Sequence, residues 1–316
     1  DATSATLTVD ANRARSLTAV FVYAIPASIY VQDGLVAQWD GIENAGVGQH
    51  ETAPASWANL KNAASPMTLT GEYDWSNGVG VYFNRTSQTG FGTFVAPATP
   101  GATGRTVETA ARPDDGHTNG RFFGENYLPC LYLNGQRFAI WANGGMDGPV
   151  CERTVFDPIG HFSTYGVSVD TATKETVGYF DGAYYTATKT TCTMTYATAL
   201  TSYLANRSGK DRGASGAFYA LRIYNRVLTD DEVAFNTAVD AVRFNGADPA
   251  GVQWPEGYRW NAADGRLERH LTIPAAAGLA YRVNGAAETV ASVDCWLPLD
   301  AEATVAVEGA GQDDFA

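Results

Sequence analysis

The chain has 316 residues, of which 45 % are hydrophobic and 17 % charged, and a formal net charge of −13 at pH 7. A surface this acidic repels phosphate backbones and anionic lipid, which sets nucleic acid and membrane surfaces aside as partners and leaves neutral ligands open. The length suits one large domain plus a smaller unit, and the 33 Gly against 3 Met point to many short strands and tight turns.

The chain begins at Asp1 without Met, so any export signal is either already removed or lies outside this sequence. The apolar stretch Leu17–Val31 is too short for a membrane span and contains Pro26, so it reads as one or two strands. Residues 1–30 are then either the first strands of the large domain or the end of a preceding segment. Strand patterns recur in GLVAQWDG (34–41), GVGVYFN (78–84), LYLNGQRFAIWANG (131–144), HFSTYGVSVD (161–170) and TVGYFDGAYY (176–185). Asn134-Gly135 and Asp181-Gly182 sit between apolar runs and fit type I′ hairpin turns, whose central residues both need positive φ. Evenly spaced strands of this kind predict an all-β, two-sheet antiparallel jelly-roll sandwich. Residues 85–120 and 143–158 are rich in Gly, Pro, Thr and Asp and read as long loops, where binding on a β scaffold usually sits.

In FYALRIYNRVLTDDEV (218–233), Tyr219, Leu221 and Ile223 alternate with Phe218, Ala220 and Arg222, a strand pattern. Thr229 and Glu232 then form a capping box, Leu228 and Val233 a hydrophobic staple, and Asp230 and Asp231 favour the positive helix start. Phe235, Ala238, Val239 and Val242 give the helix an apolar stripe, and Asn245-Gly246 ends it. The acids here read as cap chemistry and not as ligands. After the linker ADPAG, GYRW, RLERHLTIP, LAYRVNG, CWLPLD and ATVAVEG restart a strand pattern. The predicted division is 1–246 and 247–316, with a thin-cored second unit that leans on the first or continues past residue 316.

Catalytic signatures are sparse. The four His (50, 117, 161 and 270) show no zinc spacing, and the chain has no G-x-S-x-G, Walker A or dinucleotide fingerprint. The four Cys form no C-x-x-C; Cys130 and Cys151 flank a hairpin and are either a pair or free thiols. A glycosidase needs two carboxylates across the scissile bond. Glu72 and Asp74 in EYDWSNG share a strand face, but Ser76 and Asn77 stand where a second glutamate belongs, so both acids read as surface carboxylates.

Two regions suit binding. In WDGIEN, Asp40, Glu43 and Asn44 bunch oxygen ligands past a strand end, a set that suits calcium or sugar hydroxyls; the competing reading is an ordinary loop in which Asp40 caps its own turn. In RPDDGHTNGRFFGENY and WANGGMDG, Asp114, Asp115, Asn119 and Asp147 accompany Trp141. Sugar sites pair a flat aromatic with planar carboxylates and amides. Trp39 and Trp57 are further stacking candidates, with a core position as the alternative.

The set GLVAQWDGIENAG, WANL, YFDG and LRIYNRVLTDDEV resembles the laminin-G-like, concanavalin A-like jelly-roll domains of secreted bacterial proteins, over roughly residues 31–246. In that family a strand like RIYNRxLT followed by an acidic helix start closes the domain. The tail YRVNG…CWLPLDAEATVAVEG is similar to small β repeats of bacterial surface proteins. The resemblance implies a secreted or cell-surface protein whose domain binds carbohydrate or glycoprotein, with calcium in some members. It also implies two alternatives: a glycoside hydrolase of this fold, and a structural spacer or adhesin domain.

Overall fold

The computed structural model describes residues 25–44, 55–75, 79–84, 89–114, 118–124, 130–134, 137–141, 151–154, 159–189, 196–207, 212–275, 279–284, 286, 290–299 and 305–309. A 3-10 turn at Ala27–Ile29 precedes β1 (Leu35–Asp40), β2 (Ser56–Trp57), β3 (Met67–Thr70), β4 (Tyr73–Asp74), β5 (Val81–Phe83), β6 (Phe91–Ala96), β7 (Gly104–Pro113) and β8 (Thr118–Phe123). Then come β9 (Cys130–Asn134), β10 (Arg137–Trp141), β11 (Cys151–Thr154), β12 (Ser163–Asp170), β13 (Glu175–Phe180), β14 (Ala183–Lys189), β15 (Leu200–Leu204) and β16 (Gly216–Tyr224). Helix α1 (Asp230–Asn245) follows, with β17 (Tyr258–Asn261), β18 (Arg266–Ile273), β19 (Leu279–Val283), β20 (Val293–Pro298) and β21 (Val305–Gly309) after it.

Two antiparallel eight-stranded sheets form the sandwich. One runs β14-β13-β12-β7-β16-β5-β4, with β1 also on β16; the other runs β11-β10-β9-β8-β15-β6-β3-β2. Val107, Val167, Leu221 and Ile223 of the first sheet meet Phe94, Phe122, Phe123 and Leu204 of the second in one buried core. Phe218 bridges the layers, edge-on to Phe83 at 5.8 Å and to Phe122 at 5.4 Å. Burying each such ring stabilises the fold by roughly 1.5–3 kcal/mol.

The strand at 218–224 forms, but its faces differ from simple alternation. The β16–β7 register shifts between Phe218 and Ala220. Phe218 therefore joins Leu221 and Ile223 in the sandwich core. Tyr219 turns outward with Ala220, towards Phe244. A bulge inserts one residue on one strand and so reverses the facing of everything beyond it.

Two further expectations are corrected, and the open choice for Cys130 and Cys151 is narrowed. The supposed loops at 85–120 and 143–158 contain β6, β7, β8 and β11. β7 lies between β12 and β16 and is buried on both faces at nearly every position, so it lacks the alternation of a half-buried strand. The described part of Leu17–Val31 is a 3-10 turn lying on α1 instead of a strand. Finally, β10 runs between β9 and β11, with Trp141 opposite Cys130 and Ile140 opposite Cys151. Two strand spacings, roughly 9–10 Å, exceed the Cα separation of a disulfide.

The Asp181-Gly182 turn has φ of 45° and 76°, as a type I′ turn requires. Gly135, of the other predicted hairpin, lies outside the described residues. Helix α1 carries the full capping box: Thr229 Oγ1 accepts from the Glu232 amide at 3.3 Å, and Glu232 Oε2 accepts from the Thr229 amide at 2.9 Å. Leu228 and Val233 pack together as the staple, and Gly246, at φ 66°, ends the helix. The apolar stripe of α1 is shared. Phe235, Val239 and Val242 cluster with Ile25 and Ile29 on one side and with Tyr258, Trp260 and Leu267 on the other. Through β17 and β18 the three-stranded β17-β18-β20 sheet thus borrows core from the helix, and β19 and β21 form a separate pair.

Candidate functional site

The WDGIEN turn is built as scaffold. Trp39 and Trp57 are 0 % exposed, Trp39 against Phe94 and Trp57 edge-on to Trp75, so neither offers a ring face to a sugar. Asp40, also 0 % exposed, accepts from the Ile42 and Glu43 amides through Oδ1, the self-capping turn. The same oxygen takes Arg243 Nη2 at 2.7 Å. Burial pushes the Asp40 carboxyl above its ordinary range, and the Arg243 guanidinium offsets only part of that rise. Arg243 thus supplies the positive charge that a calcium would bring, and the partly exposed Glu43 meets the same guanidinium at 3.4 Å. Asn44 accepts from the Ala58 amide at 2.7 Å and donates to Ser56 O, pinning the Trp57 segment to the turn. Trp39, Asp40, Asn44 and Trp57 are buried and hold the core, which corrects their reading as ligands, while Glu43 sits exposed at the rim of the turn.

A second constellation had no sequence signal. Glu108 on β7 and Arg222 on β16 face α1 and meet at 3.0 Å. Arg222 also grips Asp240 of α1 with two hydrogen bonds, at 2.8 and 2.7 Å. Tyr30 OH and Thr164 Oγ1 donate to Asp240, Tyr179 OH donates to Glu108, and Asn236 Nδ2 donates to Glu108 and Tyr224 OH. Burial pushes Glu108 up against the pull of Arg222; burial also opposes the Arg222 charge, but Asp240 and Glu108 outweigh it and raise its pKa. Glu108, Arg222, Asn236 and Asp240 are all 0 % exposed. Acids sealed in this way touch no substrate; their role is to key helix to sheet.

An open concavity among the described residues lies at the end of the first sheet. Gly71, Glu72, Tyr73, Asp74, Tyr82 and Asn84 line a groove of about 500 Å³. Asp74 stands opposite Tyr82 on adjacent strands, so the two share a face. Glu72, Asp74 and Asn84 are exposed, and Tyr82 is half-buried. Pro113, Gly216, Phe83 and Tyr73 lie abreast across β7, β16, β5 and β4. Asp114, exposed just past Pro113, therefore shares this end of the sheet with Asn84 and Glu72. Of the other candidates, Asp115 and Asp147 lie outside the described residues, and Asn119 and Trp141 are described in backbone only, on β8 and β10. From sequence neither Tyr82 nor Asn84 reads as a ligand, Asn84 standing out only as the start of an Asn-Arg-Thr glycosylation triplet, and the Glu72-x-Asp74 spacing is the signal pointing here.

Residues 93–234 match the concanavalin A-like lectin/glucanases superfamily, through a laminin-G-type family model. The jelly-roll sandwich described above is that superfamily's fold. No curated protein matches the chain in sequence. Among solved structures, it is similar to a mutant Trypanosoma rangeli sialidase displaying trans-sialidase activity, at 13 % identity and a TM-score of 0.50. That match covers 66 % of this chain and 33 % of the sialidase, so the chain spans about a third of its length. It is also similar to the binding domain of Botulinum neurotoxin DC in complex with rat synaptotagmin II, at 6 % identity and a TM-score of 0.51, over 83 % of this chain and 69 % of that one. At such identities the likeness is one of fold.

Proposed function

We propose that the protein is a non-catalytic recognition module for carbohydrate, free or carried on a glycoprotein, and that the groove of Gly71–Asp74, Tyr82 and Asn84 is its contact surface. The observation that carries this is the composition of the groove: a partly exposed phenol ring beside two exposed carboxylates and an exposed amide. Sugars are held by such pairings, the ring against the apolar sugar face and planar oxygen and nitrogen groups on hydroxyl pairs. The lectin/glucanase superfamily match supports the ligand class. The neurotoxin domain, in complex with a protein in its own structure, supports a protein-borne ligand. The same reading makes this a bacterial protein that is secreted or held at the cell surface, where glycans are met.

The test is calorimetric titration of the whole chain against a glycan panel, with and without calcium. Tyr82→Ala is expected to weaken the best sugar at least tenfold with the fold retained. Calcium remains a proposal, and its arm of the titration reads it directly. No binding to any sugar in either arm overturns the module.

A second reading, glycoside hydrolysis, rests on Glu72 and Asp74 lining one groove. Asp74 lies on the two-residue β4 and Glu72 in the bend just before it, so both acids sit on the same rim of the groove. A hydrolase sets its two carboxyls on either side of the bond it breaks. Turnover of a bound glycan, abolished by Glu72→Gln, would establish this reading and displace the first.

A further inference from the structure

Arg105 sits one residue into β7 and shares its face with Val107, so its side chain enters the space between the sheets at one end of the sandwich. It is 0 % exposed. Its Nη2 donates to Pro97 O and Thr99 Oγ1, each at 2.9 Å, on the segment that follows β6. The guanidinium carbon lies 4.3 Å from the centre of the Tyr196 ring. The Tyr196 carbonyl accepts from the Thr99 amide at 2.6 Å, which ties the ring to the same segment. Nε and Nη1 are buried and meet no acceptor among the described residues. Among the described residues no carboxylate pairs with this cation. Arg222 and Arg243, the other fully buried arginines, each hold at least one carboxylate. Desolvation lowers the Arg105 pKa to about 10.

A buried charge without a counter-charge is costly, by several kcal/mol per ion, and native folds answer it with a partner. We propose that Arg105 is the anchor of an internal anion site, taking a single monatomic anion of the halide type at Nη1 between the two sheets. The donor geometry selects the class. Nη2 spends both of its hydrogens on Pro97 O and Thr99 Oγ1, so neither edge of the fork keeps two free donors. A carboxylate or phosphate cannot dock side-on with two hydrogen bonds, whereas an ion that needs one donor and a neighbouring charge can. The ion would neutralise the end of the sandwich beneath the 97–103 segment and belongs to the folded state alone. The site is separate from the groove and stands whether or not the sugar reading holds.

The experiment is thermal unfolding of the full chain as sodium chloride or bromide replaces sodium gluconate at fixed ionic strength, for the wild type and Arg105→Met. A ligand bound only by the folded state raises the melting temperature with its concentration, here by about 2 °C per tenfold once the site is filling. The wild type is expected to show this rise and the variant to be flat. Identical curves in all three salts, or an equal response from Arg105→Met, would sink the proposal. If the variant does not fold, anomalous diffraction from bromide-soaked wild-type crystals decides. A peak within about 3.5 Å of Nη1 supports the site, and a peak-free, water-only density refutes it.

Discussion

Glu108 and Arg222 stand directly opposite each other on β7 and β16, and their side chains close at 3.0 Å with neither one exposed. Removing the cation alone strands Glu108 and Asp240 in the interior. Arg222→Met is expected to cost about 3–5 kcal/mol of unfolding free energy in urea. Replacing Arg222, Glu108 and Asp240 together with apolar side chains should cost less than that single change. A single-variant loss below 1 kcal/mol would show that the trio is not the key between sheet and helix.

Gly166 is the slot for the Tyr179 ring. The two residues pair across β12 and β13, and a Cβ on Gly166 would lie 2.1 Å from the ring. From there Tyr179 OH reaches Glu108 at 2.9 Å. Gly166→Ala should therefore destabilise by about 2–4 kcal/mol, by displacing the ring and its hydrogen bond. In a double-mutant cycle with Tyr179→Ala, the combined loss should fall short of the sum by more than 1 kcal/mol. Simple additivity would argue that the two do not share this slot.

Burial pushes the Glu232 carboxyl up, but hydrogen bonds from Arg226 and from the Thr229 amide outweigh it and hold the group below its ordinary 4.5. An acid depressed in the folded state binds its proton more weakly there than in the unfolded chain. Its stabilisation is present above about pH 4.5 and is lost as pH falls through the lower folded value. Glu232→Gln should flatten this acid limb and lower neutral-pH stability by about 1 kcal/mol through the weakened cap. An unchanged acid limb in pH-dependent melts would contradict the assignment.

Phe235 of α1 lies 4.2 Å from the Tyr258 ring and 6.2 Å from Trp254. Helix and tail strands therefore share one apolar seam. Phe235→Ala is expected to cost about 3–4 kcal/mol. Removing residues 247–316 should bare Val239 and Val242 and make the remaining chain bind a hydrophobic dye. A truncated chain that melts like the full one would show that the seam contributes nothing.

Much of this was legible because its causes are local. The cap at Thr229, the staple at Leu228 and Val233, the glycine stop at Gly246 and the Asp181-Gly182 turn each depend on neighbours a few residues away. The groove was half legible. Glu72 and Asp74 alternate visibly, but Tyr82 joins them only because β4 pairs with β5. Trp39, Asp40 and Asn44 invited a binding reading because their chemistry suits one. Only burial, together with Arg243 from a helix 200 residues further on, shows that they serve the core.

Local sequence by itself determined that this chain alternates into β layers and ends its sandwich with a capped helix, because hydrogen bonding and side-chain period act over a few residues. Tertiary structure alone decided which polar side chains are sealed inside and which face water. Nothing local marks Glu108, Arg222 and Asp240 for the interior; they are sealed there because β7 is enclosed between β12 and β16 and α1 packs over them. The free energy of a charge is set by whatever surrounds it in three dimensions, and those surroundings come from distant parts of the chain.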